Sequence, residues 1–199
     1  MDLPEVPIGR KYVNMTDVTD PARGAPSLLP AVQAPGGTEA GISEEQHERL
    51  IAFIELLFFA YRDFTGDPDF VLERYGFGRA HHRVLHFVYR NPGLRVADLL
   101  DILKITKQSL GRVLKQLVDE EFIVQKAGKA DRRQRLLYTT AKGAKLAERL
   151  TELQIARIRD ALDFAGPGAE EATRRFLFAM IGHEDRARVG ALTRLIAGP

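Results

Sequence analysis

Apolar residues recur along this chain with two different periods, and the switches between them mark its elements. From Ser43 the sequence reads as a helix. The Ser43 hydroxyl can cap the first turn with Gln46 at capping-box spacing, and Leu50, Ile54, Leu57, Phe58 and Tyr61 follow every three or four residues. Ile51, Phe53 and Phe59 widen the stripe, so this helix needs two things to bury against: its own domain and a second body. Gly66-Asp67-Pro68 predicts its end, with Pro68 opening a short helix through Tyr75. Residues 79–90, RAHHRVLHFVYR, form the next helix with Val84, Leu85 and Val88 inward, and Asn91-Pro92-Gly93 makes a turn.

Two short amphipathic helices come next. Leu94, Val96, Leu99, Leu100 and Leu103 give the first its buried stripe, with Asp98 in the first turn where the helix dipole favours it. Thr106 is an N-cap for the second, whose inner face is Leu110, Val113, Leu114 and Leu117. Its outer face carries Lys107, Gln108, Ser109, Arg112 and Lys115. Gly111, inside this helix, costs about 1 kcal/mol relative to Ala, and serves a close approach either to the preceding helix or to an outside partner. The period then changes to that of strands: Phe122-Ile123-Val124 and Leu136-Leu137-Tyr138 form a hairpin around Gly128. Thr140 caps a long helix bearing Leu146, Leu150, Leu153, Ile158 and Leu162, and Gly166-Pro167-Gly168 breaks it. Glu170 and Glu171 lead another helix with Phe176, Leu177, Met180 and Ile181, and a last helical piece runs over about residues 184–197.

Charge sharpens this picture. The net charge is +2, but residues 79–143 hold 14 Lys and Arg against 6 Asp and Glu, leaving the rest acidic. A basic third carrying two short helices and a basic hairpin (Lys126, Lys129, Arg132, Arg133, Arg135) is the footprint of a nucleic-acid-binding module. The absence of cysteine removes disulfides and thiolate metal sites. Residues 1–42 hold six of the ten prolines and read as a disordered or weakly docked tail, in which Lys11-Tyr12-Val13-Asn14-Met15 could pack on a partner. The opening MDLPEVPIGR lacks the apolar core of a secretory signal, and residues 50–61 are too short to span a bilayer and include Glu55. The expectation is a cytoplasmic protein without membrane partners.

Asp131-Arg132-Arg133, followed nine residues after the Asp by Thr140 and then by Gly143, resembles the wing signature of the MarR family of bacterial transcriptional regulators. The spacings of His81, Val84 and Leu85, of Val96, Leu99 and Leu100, and of residues 106–117 are similar to that family as well. Thr139 stands where the family pattern has leucine. The resemblance covers about residues 44–181. It implies a mainly α fold with a small β wing: a winged helix-turn-helix flanked by N- and C-terminal dimerisation helices. The expected divisions are a tail (1–42), a dimerisation helix and connector (43–78), a DNA-binding domain (79–143) and C-terminal dimerisation helices (144–199). The implied protein is a homodimer on a palindromic duplex operator.

In that frame Thr106, Lys107, Gln108, Ser109 and Arg112 meet base edges, Gln108 suiting adenine and Arg112 guanine. Lys115 and Lys104 meet phosphates. In the wing, with Lys129 at its tip, Arg133, or else Arg132, enters the minor groove. Asp131 is structural, holding an arginine or backbone amides. Family resemblance also implies a cleft for a small aromatic or anionic effector, lined by Tyr61, Arg62, His82, His86 and Tyr89; the alternative is that these aromatics are core. His82 and His86, four apart, suit zinc if His47 or His183 joins them across a dimer, but the two-His spacing alone is weak and ordinary packing or surface histidines are the favoured reading. No cofactor is expected, and no phosphate loop, nucleophile elbow or HExxH motif suggests an enzyme. A dimeric interaction protein with a degenerate DNA-binding fold is the remaining alternative.

Overall fold

The computed structural model describes residues 41–128 and 131–193. The chain divides after Ile42, and the unit from Ser43 onward carries every element below. In chain order these are α1 (Glu44–Glu73), α2 (Arg79–Arg90), β1 (Leu94–Arg95), α3 (Val96–Leu103), α4 (Lys107–Asp119), β2 (Ile123–Ala127), β3 (Arg135–Thr139), α5 (Ala141–Ala165), α6 (Ala169–Ala179) and α7 (His183–Thr193). The fold is mainly helical with one small antiparallel sheet of order β1-β3-β2. Residues 1–40 of the expected tail, including 11–15, lie outside the described residues, as do Lys129 and positions 194–197 of the last helical piece expected from the sequence.

Local chemistry accounts for most boundaries. Ser43, Thr106 and Thr140 each accept an amide three residues on, closing the first turns of α1, α4 and α5. Leu110, Val113, Leu114 and Leu117 of α4 meet Val84, Leu85 and Val88 of α2 in the core, joined by Leu99, Leu103, Phe122, Ile123, Leu137, Leu146 and Leu150. Among the described residues, all of the largest fully buried side chains lie between Pro68 and Leu150.

Two expectations are corrected. Gly66-Asp67-Pro68 does not stop the first helix; α1 continues through Pro68 to Glu73. A helix-interior proline removes one backbone bond and costs about 3 kcal/mol. Here Pro68 and Leu72 are buried in the core region, the buried Thr65 hydroxyl donates to the carbonyls of Tyr61 (2.9 Å) and Arg62 (3.2 Å), and Asp67 pairs with Arg157 of α5 at 2.6 Å. Burial, the local Thr65 bonds and the cross-helix Asp67–Arg157 pair outweigh the missing bond. Leu94, in turn, is not helical: it sits in the two-residue strand β1, opposite Leu137 of β3. That pairing is long-range and leaves no periodic trace in two residues.

Apolar surface remains outside the core. Leu50, Phe53, Ile54, Leu56, Phe58, Phe59 and Tyr61 of α1 are exposed, Phe58 at 70%. So are Ile155, Ile158 and Phe164 of α5, the last at 95%, and Phe176, Leu177 and Met180 at α6. Among the described residues, no helix is long and apolar enough to cross a membrane.

Candidate nucleic-acid interface

Helix α4 is presented by its inner face. Lys104, in the left-handed conformation (φ 53°), turns the chain sharply from α3 into α4. His81 of α2 fixes the other end: its Nδ1 accepts the Gly78 amide (3.1 Å), which leaves Nε2–H to donate to Gln116 Oε1 (2.9 Å). Arg83 donates to the Leu103 carbonyl at 3.3 Å and ties α2 to the end of α3. With one face buried and both ends held, the opposite face of α4 points to solvent. Thr106, Lys107, Gln108, Ser109, Arg112 and Lys115 are all exposed on it. The Thr106 hydroxyl is engaged locally, accepting the Ser109 amide (3.1 Å) and donating to Ser109 Oγ (2.9 Å).

The hairpin β2–β3 stands beside α4, pairing Val124 with Tyr138 and Ala127 with Arg135. At its far end Asp131 Oδ1 accepts the Arg133 amide (2.9 Å), and its carbonyl accepts the Gln134 amide (3.1 Å). This tight turn holds Arg132 and Arg133 outward, both exposed. Between α4 and the hairpin runs an open groove of about 930 Å³, with Lys107, Gly111 and Lys115 on one wall and Gln125, Arg133 and Arg135 on the other.

The cations divide into two groups. Lys115 is paired with Asp119 one turn on, and Lys104 with Asp185 of α7 at 3.3 Å. Among the described residues, Lys107, Arg112, Arg132, Arg133 and Arg135 have no ion-pair partner. The first half of α4 and the wing thus both carry exposed cations without an internal anion, flanking one groove.

The hairpin's other end is anchored to α5. Thr140 donates its amide to the Phe122 carbonyl (3.0 Å) and its hydroxyl to the Glu121 carbonyl (2.7 Å). Lys142 donates to the Glu120 carbonyl (2.9 Å) and lies over the Phe122 ring. Gly143 is required here, because a Cβ would stand 2.0 Å from the Phe122 carbonyl oxygen.

The sequence that defines the MarR family matches residues 75–134, a span running from just before α2 to the turn that precedes β3. The HTH-type transcriptional regulator PetP of Rhodobacter capsulatus is 47% identical over 149 residues, 74% of this chain and 88% of that protein. The chain belongs to the MarR family. Solved structures agree on the fold of this MarR-family chain. A MarR family transcription regulator superposes with a TM-score of 0.56 at 18% identity, covering 77% of this chain and 93% of that one. A MarR family regulator from Listeria monocytogenes, in complex with 26mer DNA, gives 0.56 at 19% identity, covering 68% and 89%.

Of the five residues expected to line an effector cleft, Tyr61 and Arg62 lie on α1 and His82, His86 and Tyr89 on α2. His82 is buried at 7% exposure and its pKa is pushed down to about 4, first by burial and then by His86, with Asp69 opposing in part. His86 is also held low, by burial and by Arg90. Tyr89 donates instead to Glu148 of α5 (2.8 Å), which raises the pKa of its phenol. Tyr61 and Arg62 are exposed on α1, the latter pairing with Asp63. The spacing of charges had not singled out Asp69 and Arg79, yet they meet there: Arg79 Nε donates to Asp69 Oδ2 (2.8 Å), and its guanidinium lies 5.5 Å from the Tyr61 ring centre. The other Asp69 oxygen, Oδ1, is buried without a hydrogen-bond partner. Only the three-dimensional meeting of α1 and α2 reveals this cluster. Among the described residues no group of three or more His, Asp or Glu could hold a metal. His82 and His86 alone offer zinc two of the four ligands it takes.

Proposed function

We propose that this chain is a homodimeric, sequence-specific regulator of transcription that binds a palindromic site in duplex DNA, in the cytoplasm. The observation that carries the reading is the set of exposed, unpaired cations on α4 and the wing, on either side of one groove. The start of α4 enters the major groove, where Lys107, Gln108, Ser109 and Arg112 meet base edges, and the wing places Arg133 in the adjacent minor groove, with Arg132 and Lys129 on nearby phosphates. Asp131 contributes by shaping the turn. The exposed apolar side chains of α1, α5 and α6 are the surface a second copy would cover, each large side chain gaining about 1.5–3 kcal/mol on full burial. A small aromatic or anionic effector would approach where Tyr61 and Arg62 are exposed, beside the Asp69–Arg79 pair.

Selection of duplexes from a random pool by the full-length protein tests the reading. The expected result is an inverted repeat whose half-sites lie about one helical turn apart. Recovery of unenriched sequence, or of single half-sites alone, would overturn it.

A further inference from the structure

Gly111 sits in the middle of α4, in ordinary helical conformation, and is exposed. It is absent from the glycines with positive φ, so its backbone makes no demand that alanine fails to meet. An added Cβ would meet no atom of the chain within 4 Å, which excludes close packing against α3 as its reason. Alanine there would therefore strengthen the helix, and nothing inside the protein compensates for glycine. The compensation must come from something that lies against the helix from outside.

The groove identifies the occupant's chemistry. Gly111 lies on its wall between Lys107, one turn before, and Lys115, one turn after, with Arg133 and Arg135 across from it. The same groove is lined by the carboxylates of Asp119, already paired with Lys115, and of Asp131, which leaves Lys107, Arg133 and Arg135 as its unpaired cations. A position without a side chain beside those cations fits an extended polyanion passing between the two elements.

We propose that Gly111 is a positioning residue that seats one sugar–phosphate strand of the duplex against α4, where the strand crosses from the groove read by the helix to the groove entered by the wing. The inference rests on the DNA-binding reading above. It adds that the depth of docking is set by bare backbone as well as by charge. Contacts to the strand position without specifying. A side chain at 111 therefore weakens binding to all duplex sequences alike and leaves base preference intact.

The test is Gly111→Ala in the full-length protein, with Gly111→Leu as a larger helix-forming side chain. Binding is measured to the selected duplex and to a scrambled one, together with the melting temperature. Gly111→Ala is expected to raise Tm by about 2–4 °C. It should weaken binding to both duplexes by about fivefold or more, with Gly111→Leu weaker still, and the selected logo should be unchanged. Wild-type affinity in the alanine variant would overturn the proposal. So would a loss confined to one base position, which would place a base rather than the strand at Gly111. A fall in Tm would overturn it too, by showing that the protein itself needs the space. Failure of the wild-type chain to bind any duplex would instead remove the DNA-binding reading on which the proposal stands.

Discussion

Substituting Gly143 by alanine should unlatch the wing from the long helix. The added Cβ would lie 2.0 Å from the Phe122 carbonyl oxygen and 2.9 Å from its carbon. Both are backbone atoms, so no rotamer change relieves the clash, and α5 and β2 must separate by about 1 Å or more to restore ordinary contact. That movement strains the Thr140 amide bond to Phe122, the Thr140 bond to Glu121 and the cap on Gly143 itself. Losing a backbone bond and a cap costs about 1 kcal/mol each, and forced overpacking about 1–3 more. Alanine's better helix propensity returns at most about 1 kcal/mol. The net loss is about 2–4 kcal/mol, which for a chain of this size lowers Tm by about 5–15 °C. Differential scanning calorimetry of the purified protein measures it directly. A Tm within about 2 °C of wild type would refute the latch. Gly111→Ala is the internal comparison, because the same methyl group in open space should move Tm the other way.

Three further outcomes are expected. His82 stays neutral in the fold because burial lowers its pKa from 6.5 to about 4, so the unfolded chain binds the proton first. Stability is then full above pH 6.5 and falls as pH drops toward 4, by on the order of 3 kcal/mol. His82→Gln should flatten the fall in Tm over that window, apart from the same-signed share of His86, and an unchanged slope would reject the assignment. Arg133→Ala should weaken operator binding at least about tenfold and lower the salt slope by about 1, whereas Arg112→Ala should relax base preference; equal affinity at two salt concentrations, or an unaltered logo, would count against each role. Leu56→Glu and Phe58→Glu, at positions 63% and 70% exposed, should convert a dimer into a species of 22.3 kDa by light scattering, and a wild-type protein already at that mass would sink the dimer.

What the sequence disclosed was whatever is decided within a turn or two of chain. The stripe Leu110, Val113, Leu114, Leu117 and the caps at Ser43, Thr106 and Thr140 are local statements, and the structure keeps each of them. Pro68 misled because its local cost is visible in sequence, while the burial of Leu72 and the Asp67–Arg157 pair that oppose it join residues far apart. Leu94 was misplaced for the same reason, its partner Leu137 being 43 positions away. The Asp69–Arg79 pair stayed hidden because two helices of unknown rotation give no sign of which faces meet. For Tyr61, Arg62, His82, His86 and Tyr89 the helical spacing was real, but it gives no sign of which faces of α1 and α2 meet.

Charge counting has a similar blind spot, and it bears on how this surface discriminates. By number alone Lys104 and Lys115 equal Lys107 and Arg112, yet each already has a carboxylate partner. Exposed pairs of this kind contribute about 0–1 kcal/mol, so exchanging the carboxylate for a phosphate changes little in stability. The freed carboxylate, however, remains beside the polyanion and subtracts from the lysine's attraction. In the proposed complex Asp119 would trim the sequence-independent part of binding at the far end of α4, whereas Lys107 and Arg112 have no paired carboxylate and, on the wing, Asp131 is engaged with the Arg133 amide. On that reading electrostatic attraction would be strongest where the helix start and the wing meet their grooves. A duplex would then be held best when both are reached at once, which would favour the docking register that brings side chains to base edges over looser contact along the backbone.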